Sequence, residues 1–136
     1  PSGNNHYKEN IRIVLIKETI NYIKKKPILG YGTGSFEKTM NKRIYVNHPK
    51  LYTTPHNTYL YVWFEIGIFG LIILINIFYF QIKSLSKLEG NFHRILLTIG
   101  FMTIMFFDSY LFSFVLTIFY IYFFTVYNNY MVGKNT

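Results

Sequence analysis

The sequence predicts an all-α fold: a polytopic α-helical membrane protein fragment that carries an amphipathic helix and loop outside its apolar segments. The first observation is composition, since 51% of the 136 residues are hydrophobic and 21% aromatic, more than one small soluble core needs. The second is charge, because residues 1–56 hold ten Lys or Arg and three acids, whereas residues 57–136 hold four and three. The chain therefore divides near His56 into a basic polar arm and an apolar part.

The first apolar stretch runs from Tyr59 to Phe80, and Glu65 is its only charged residue. These 22 residues would be about 33 Å long as a helix at roughly 1.5 Å per residue, which is enough to cross a bilayer core. The stretch predicts one transmembrane helix. A carboxylate inside the span, as at Glu65, is costly unless it faces protein or water, and two interpretations are equally compatible: it pairs with a cation of a site, or it packs between helices near the membrane surface.

The second apolar stretch, Ile95 to Tyr127, is interrupted by Asp108 and Ser109. It is too long for an ordinary single span, so it predicts a helical hairpin that turns there, with one long tilted helix as the alternative. The predicted segments are the basic loop with its helix, a transmembrane helix, a polar loop, the hairpin turning near 108–109, and a C-terminal tail. Their ranges are 1–56, 57–82, 83–94, 95–128 and 129–136, respectively. The numbers of Lys and Arg close to the two ends of the first span are equal, so charge does not orient it.

The arm begins with a helical pattern in which isoleucines recur at steps of three and four residues, at Ile13, Ile16, Ile20 and Ile23. It predicts an amphipathic helix that Pro27 ends, of the kind that also rests on anionic lipid headgroups. The following "PILGYGTGSF" lacks the spacing of a dinucleotide-binding loop and the Lys of a P-loop. Its glycines are instead expected to let the backbone turn sharply and pass close to another group.

Several functions are excluded or disfavoured by what the sequence lacks. Cysteine is absent, which removes disulfides and thiolate metal sites. His48 and His56 are separated by eight positions and two prolines, and no ligand cluster completes a metal site. We therefore expect no metal and no cofactor. The net charge of +8 suggests an anionic partner, and with the chain in a bilayer we expect lipid headgroups or a phosphate-bearing substrate, and no nucleic acid.

A longer motif gives the His56–Asn57 pair more weight than it has alone. His56 and Asn57 are followed by nine residues and then by the pair Gly67 and Gly70. This pattern resembles the O-antigen ligase and polysaccharide polymerase (WaaL and Wzy type) family of bacterial membrane glycosyltransferases. Upstream, Arg12 and the later "PILGYG" resemble the family's Arg and Pro-Leu-x-Gly-x-Gly loop, and "FFDSYLF" resembles its tail segment.

The resemblance implies a multi-pass protein of the bacterial cell membrane whose active face is extracytoplasmic. It therefore implies that residues 1–56 form an extracytoplasmic amphipathic helix and loop and that residues 83–94 form a cytoplasmic loop. It implies that this chain is the C-terminal piece of a longer protein, inactive by itself, whose missing N-terminal transmembrane helices are partners. The chain opens with Pro1 and carries no secretory signal. The implied reaction transfers a glycan from an undecaprenyl-pyrophosphate-linked donor to an acceptor glycan, without a metal.

Residue roles follow from that chemistry. Histidine can be neutral near pH 7 and still accept a proton, so His56 is the candidate base for the attacking hydroxyl. A guanidinium binds pyrophosphate oxygens through paired hydrogen bonds, so Arg12 is the candidate for stabilising the leaving group. Asn57, Lys24 and Lys25 are candidate substrate-binding residues.

The acceptor distinguishes two enzymes. A polymerase of capsule or O-antigen repeat units is favoured by a composition that suggests an AT-rich genome, and an O-antigen ligase that transfers the glycan to the lipid A core is the alternative. A non-catalytic membrane module of polysaccharide export is the third interpretation.

Overall fold

The computed structural model of the chain describes residues 4–44, 54–86, 92–108 and 114–132. Five helices occupy these ranges: α1 Asn4–Lys25, α2 Ser35–Ile44, α3 Thr58–Leu85, α4 Phe92–Phe107 and α5 Phe114–Val132. The described residues contain no strand, and α3 is long and apolar enough to cross a membrane. The predicted all-α class is therefore confirmed, and the long apolar helix is consistent with a fragment of a helical membrane protein.

α1 ends two residues before Pro27, as the sequence predicts, but its buried face coincides only in part with the one that the isoleucines mark. Leu15, Thr19 and Ile23 are buried at steps of four residues, whereas Ile13 and Ile20 are exposed. Apolar residues stand on several sides of this helix, so periodicity does not select one face. Packing against α2 and α3 selects it, and the buried Thr19 hydroxyl is satisfied by donating to the Leu15 carbonyl.

The arm has its own hydrophobic core, built by α1, α2 and the first turns of α3. We call it the arm core, and its buried members are Leu15, Ile23, Phe36, Met40 and Phe64. Phe36 and Phe64 are fully buried and meet edge to face with ring centroids 5.0 Å apart. Aromatic rings in this geometry stabilise a core beyond the area that they bury.

α3 is sharply kinked at Gly67, whose φ of 80° and ψ of −169° are not helical. This region of backbone space is essentially restricted to glycine. The helix consists of two limbs, residues 58–66 and 68–85, and the 33 Å of a straight helix does not apply. The second limb has 18 residues and is about 27 Å long, close to the thickness of the bilayer hydrocarbon core.

The loop after α1 docks on this kink by its backbone. Three hydrogen bonds join them: Tyr31 N to Phe64 O at 2.9 Å, Gly32 N to Glu65 O at 2.8 Å, and Ile68 N to Pro27 O at 3.0 Å. A Cβ on Gly30 would lie 2.5 Å from the Glu65 carbonyl oxygen, and one on Gly67 would collide with the Ile28 carbonyl. The predicted close backbone approach is thus confirmed for Gly30, and its partner is the Gly67 region.

A second core lies between α3, α4 and α5. We call it the membrane core, and its buried members are Val62, Leu74, Phe78, Met105 and Tyr120. Tyr120 stacks on Phe101 with centroids 4.2 Å apart, and its hydroxyl donates to Gln81 Oε1 at 2.8 Å. The residues of the predicted hairpin turn lie at the edge of the described structure, since α4 ends at Phe107 and Ser109 lies outside the described residues.

Candidate active site

The start of α3 is joined to the end of α4 by Asn57. Its backbone is extended and its Oδ1 accepts from Leu60 N at 2.9 Å, so Asn57 is the N-cap of α3. Its Nδ2 donates to the Phe106 carbonyl at 3.1 Å. The side-chain amide of Asn57 therefore caps the start of α3 and donates a hydrogen bond to a carbonyl at the end of α4. This places the preceding residue, His56, beside the end of α4.

Arg12 reaches the same place from α1. The last carbonyls of a helix lack partners within it, and at α4 they are supplied with donors from elsewhere in the chain. Arg12 Nη2 donates to the Phe107 carbonyl at 2.8 Å, and Thr58 Oγ1 donates to the Asp108 carbonyl at 3.0 Å. A cation is favourable there because the C-terminal end of the helix is the negative end of its dipole.

The start of α3 and the end of α4 meet in a corner, which we define by His56, Asn57 and Asp108. In this corner His56 faces a carboxylate. Its Nδ1 lies 3.1 Å from Asp108 Oδ1, with the two side chains 39% and 35% exposed. When Nδ1 carries the proton, the carboxylate accepts it and Nε2 is left with a lone pair. His56 also has a positive φ of 53°, which is uncommon outside glycine and concentrates at functional sites. The corner can therefore orient an imidazole as a base at a surface that solvent reaches.

The structure brings Arg12, His56 and Asn57 together, but not Lys24 and Lys25. Twelve residues of α1 separate Arg12 from Lys24, which is about 18 Å along a helix axis. Both lysines are exposed, and Lys25 Nζ lies 5.1 Å from the centre of the Tyr22 ring. Their predicted part in substrate binding remains a prediction, at a position remote from His56.

Glu65 is a packing carboxylate. It is buried, and its Oε1 accepts from Phe36 N at 3.3 Å in the first turn of α2. A carboxylate at a helix N-terminus stabilises the orphan N–H groups and the positive end of the dipole. Across the described parts of the chain, no ion pair joins Glu65 to a cation. Of the two sequence interpretations, the structure shows the helix-packing one.

Asp108 is the functional candidate that the sequence did not assign. It lies 52 positions from His56 along the chain, so no local pattern connects them. The sequence held one signal that could have indicated it, because Asp108 is the only acidic residue between Ile95 and Tyr127. A carboxylate inside an apolar stretch is costly unless it has a partner, and that cost is a reason to look for one.

Among the described residues, His56 and Asp108 are the possible metal ligands at this corner. Within the described residues no group of three His, Asp or Glu side chains lies close enough to hold an ion. His56 and Asp108 supply two ligand groups, and structural or catalytic zinc sites need at least three from the protein.

Comparisons with known proteins agree with the motif. The O-antigen ligase family model (Wzy_C) matches residues 3–75, more than half of the chain. An O-antigen ligase of Salmonella typhimurium is 42% identical over 62 residues, 41% of this chain and 15% of the relative. A protein of Rickettsia conorii named "Putative polysaccharide ligase" is 38% identical over 82 residues, 55% of this chain and 20% of the relative. No solved structure matches the chain.

The chain thus spans a fifth or less of the length of these two relatives. The family match begins before Arg12 and ends beyond the kink, so it contains the capped start of α3 and the docked loop. On this match the predicted membership is confirmed, and the chain belongs to the O-antigen ligase family of membrane proteins.

Proposed function

We propose that this chain forms part of the catalytic site of a membrane glycosyltransferase that uses an undecaprenyl-pyrophosphate-linked glycan as donor. The observation that carries the proposal is the pairing of His56 Nδ1 with Asp108 Oδ1, beside the carbonyl that Arg12 contacts. This is the arrangement of an oriented general base next to a cation. Family membership supports the class of enzyme.

In the proposed reaction an acceptor hydroxyl attacks the anomeric carbon of the donor sugar. His56 Nε2 takes the hydroxyl proton while Asp108 accepts the Nδ1–H and holds the ring. A new glycosidic C–O bond forms, the C–O bond to pyrophosphate breaks, and undecaprenyl pyrophosphate leaves with the bonding electron pair. Arg12 has five N–H donors, and those not engaged by Phe107 can stabilise the pyrophosphate oxygens.

The acceptor defines the enzyme. Both relatives are named as ligases, which supports transfer of a finished glycan to a lipid A core. Polymerisation of capsule or O-antigen repeat units, which composition favoured, uses the same donor chemistry with a growing lipid-linked chain as acceptor. A deletion strain separates them, because loss of a ligase leaves long polymer on its lipid carrier whereas loss of a polymerase abolishes long polymer.

The proposed setting is the bacterial inner or plasma membrane, in a multi-pass protein completed by N-terminal transmembrane helices. Residues 1–56 lie on the extracytoplasmic face, where the donor pyrophosphate is presented. Pyrophosphate is already an activated leaving group, and an arginine can carry the charge that a divalent ion would otherwise offset. We therefore expect the full-length enzyme to keep its turnover in excess chelator.

The test is a set of variants of the full-length enzyme assayed for glycan transfer. His56→Ala should lower turnover by roughly 10²- to 10⁴-fold with donor binding little changed, and Asp108→Asn should lower turnover less because the base remains. His93→Ala is the matched control, since His93 is an exposed histidine at the opposite end of α4. Equal turnover in wild type and His56→Ala would eliminate the enzyme proposal and favour a non-catalytic module of polysaccharide export.

A further inference from the structure

The tip of the loop after α1 carries two neighbouring apolar side chains that face outwards. Ile28 is 57% exposed and Leu29 is 78% exposed. Pro27 separates them from the three consecutive lysines Lys24, Lys25 and Lys26. Single exposed apolar residues are normal on proteins, but an apolar tip next to a basic cluster is the composition of a membrane-surface anchor.

The position of the tip relative to α3 is fixed by the backbone. Pro27 O accepts from Ile68 N, and Pro27 O also accepts from the indole Nε1 of Trp63 at 3.0 Å. Ile68 is the first residue of the 27 Å limb, whose large apolar side chains, such as Phe69 and Ile73, are exposed. The tip therefore lies at the level where the apolar limb begins, which is where a bilayer surface would be.

Aromatic side chains surround the lysines at this level. Lys26 Nζ lies 5.0 Å from the centre of the Tyr31 ring, and Tyr31 meets Tyr22 edge to face at 5.6 Å. The pKa of the Tyr31 hydroxyl is raised, chiefly by burial and to a smaller extent by the neighbouring Tyr22. The ring under Lys26 is therefore neutral. Tyrosine and tryptophan are enriched at membrane–water interfaces, where lysines extend their charged ends to headgroups.

The charges are complementary to anionic headgroups. Over the described ranges, no ion pair engages any of the three lysines with an acid of the protein. Anionic lipids attract lysines close to a membrane surface, whereas zwitterionic lipids exert no comparable attraction. The docked backbone holds the loop in one shape, so little conformational entropy is lost when it meets a surface.

We propose that residues 24–31 form an interfacial anchor that docks on anionic phospholipid headgroups, with Ile28 and Leu29 inserted at the headgroup–acyl boundary. Because the same loop is bonded to the kink of α3, the anchor fixes the depth of α3 and so the height of the corner at its N-terminus. The partner is the lipid surface itself, and the proposal is independent of glycan transfer.

The first experiment measures depth at position 29. The full-length protein, with any cysteines elsewhere replaced, carries Leu29→Cys labelled with bimane and is reconstituted in phosphatidylcholine vesicles containing phosphatidylglycerol. Lipids brominated near the headgroup should quench this probe at least about twofold more than a probe at the control Lys38→Cys, an exposed position on α2, and aqueous iodide should quench it less. Quenching by iodide alone would overturn the proposal. Protection from both quenchers would also overturn it, by showing that another protein segment covers the tip.

The second experiment tests the charges. The triple variant Lys24→Gln, Lys25→Gln, Lys26→Gln should reduce the preference for spin-labelled phosphatidylglycerol over phosphatidylcholine, measured by electron paramagnetic resonance, by roughly twofold or more. The preference of the wild type should weaken in high salt. Lys38→Gln should leave it unchanged. An unchanged preference in the triple variant would show that the lysines do not contact headgroups and would refute the anchor.

Discussion

The arm core and the membrane core are held together by different kinds of contact. In the arm, backbone meets backbone: the loop 27–32 bonds directly to the kinked turn of α3, and a methyl group at Gly30 or Gly67 would obstruct it. In the membrane core, rings and the hydroxyls of Tyr59 and Tyr120 join helices whose outer faces carry exposed Ile and Phe. Close backbone contacts thus define the geometry of the arm, whereas the apolar helices expose side chains that can contact lipid or further helices.

The candidate site lies where these two regions meet. Arg12 comes from a helix of the arm, Asp108 from the end of a helix of the membrane core, and His56 from the turn that enters α3. A site at such a junction depends on how the regions are joined more than on the stability of either. Four substitutions test this comparison, beginning with the largest expected effect.

Gly67→Ala should uncouple the arm from α3. A side chain there would have to adopt a backbone region restricted to glycine, at about 1–3 kcal/mol, and would also collide with the Ile28 carbonyl, at about another 1–3 kcal/mol. We expect a loss of stability of roughly 4 kcal/mol by thermal melting of the full-length protein, with transfer activity abolished. Gly100→Ala is the control, because a Cβ on Gly100 meets nothing within 4 Å. Equal melting temperatures of Gly67→Ala and Gly100→Ala would contradict the docking of the loop on the kink of α3.

Leu15→Ala should show that the buried stripe of α1, and not the exposed isoleucines Ile13 and Ile20, supports the arm core. Leu15 is 1% exposed, and removing a buried leucine side chain typically costs about 2–5 kcal/mol. Ile13→Ala is the matched control on the same helix, where 51% exposure predicts a change within about 0.5 kcal/mol. Chemical denaturation of the arm, followed by the fluorescence of Trp63, measures both. A larger loss of stability in Ile13→Ala than in Leu15→Ala would show that lipid or another segment covers the face of α1 that carries Ile13.

Arg12→Ala should weaken donor binding by roughly 10- to 100-fold, because hydrogen bonds to charged groups contribute about 1.5–3 kcal/mol. Arg12→Lys should recover only part, since an ammonium cannot reproduce the guanidinium fork. Lys17→Ala, an exposed cation of the same helix, is the control. Titration of the donor analogue gives the affinity. Wild-type affinity with a lowered melting temperature would make Arg12 a cap of α4 and nothing more.

Tyr120→Phe should have the smallest effect, because side-chain hydrogen bonds between helices in a membrane average about 0.6 kcal/mol. The variant keeps the ring stacked on Phe101 and removes only the hydroxyl, which lies 2.8 Å from Gln81 Oε1 and 3.4 Å from Thr98 Oγ1. Tyr122→Phe, at 62% exposure on the same helix, should be neutral. Unfolding in mixed detergents compares them. A loss above about 2 kcal/mol would mean that the membrane core relies on polar geometry as the arm does.

The sequence by itself determined the features whose causes are local. Proline ends α1 because it removes a donor and clashes with the preceding turn, and apolar runs become helices because a bilayer leaves no other way to satisfy the backbone. The motif from His56 to Gly70, combined with Arg12 and the glycine loop upstream, indicated the family.

Tertiary structure alone decided the rest. The kink at Gly67, the buried side of α1 and the pairing of His56 with Asp108 each depend on groups that lie far apart along the chain. Periodicity could not choose the face of α1 because apolar residues surround it, and no pattern marks a carboxylate 52 positions away as the partner of a histidine. Such choices are made by packing, because only the assembled core determines which polar groups must find partners and which surfaces lose their water.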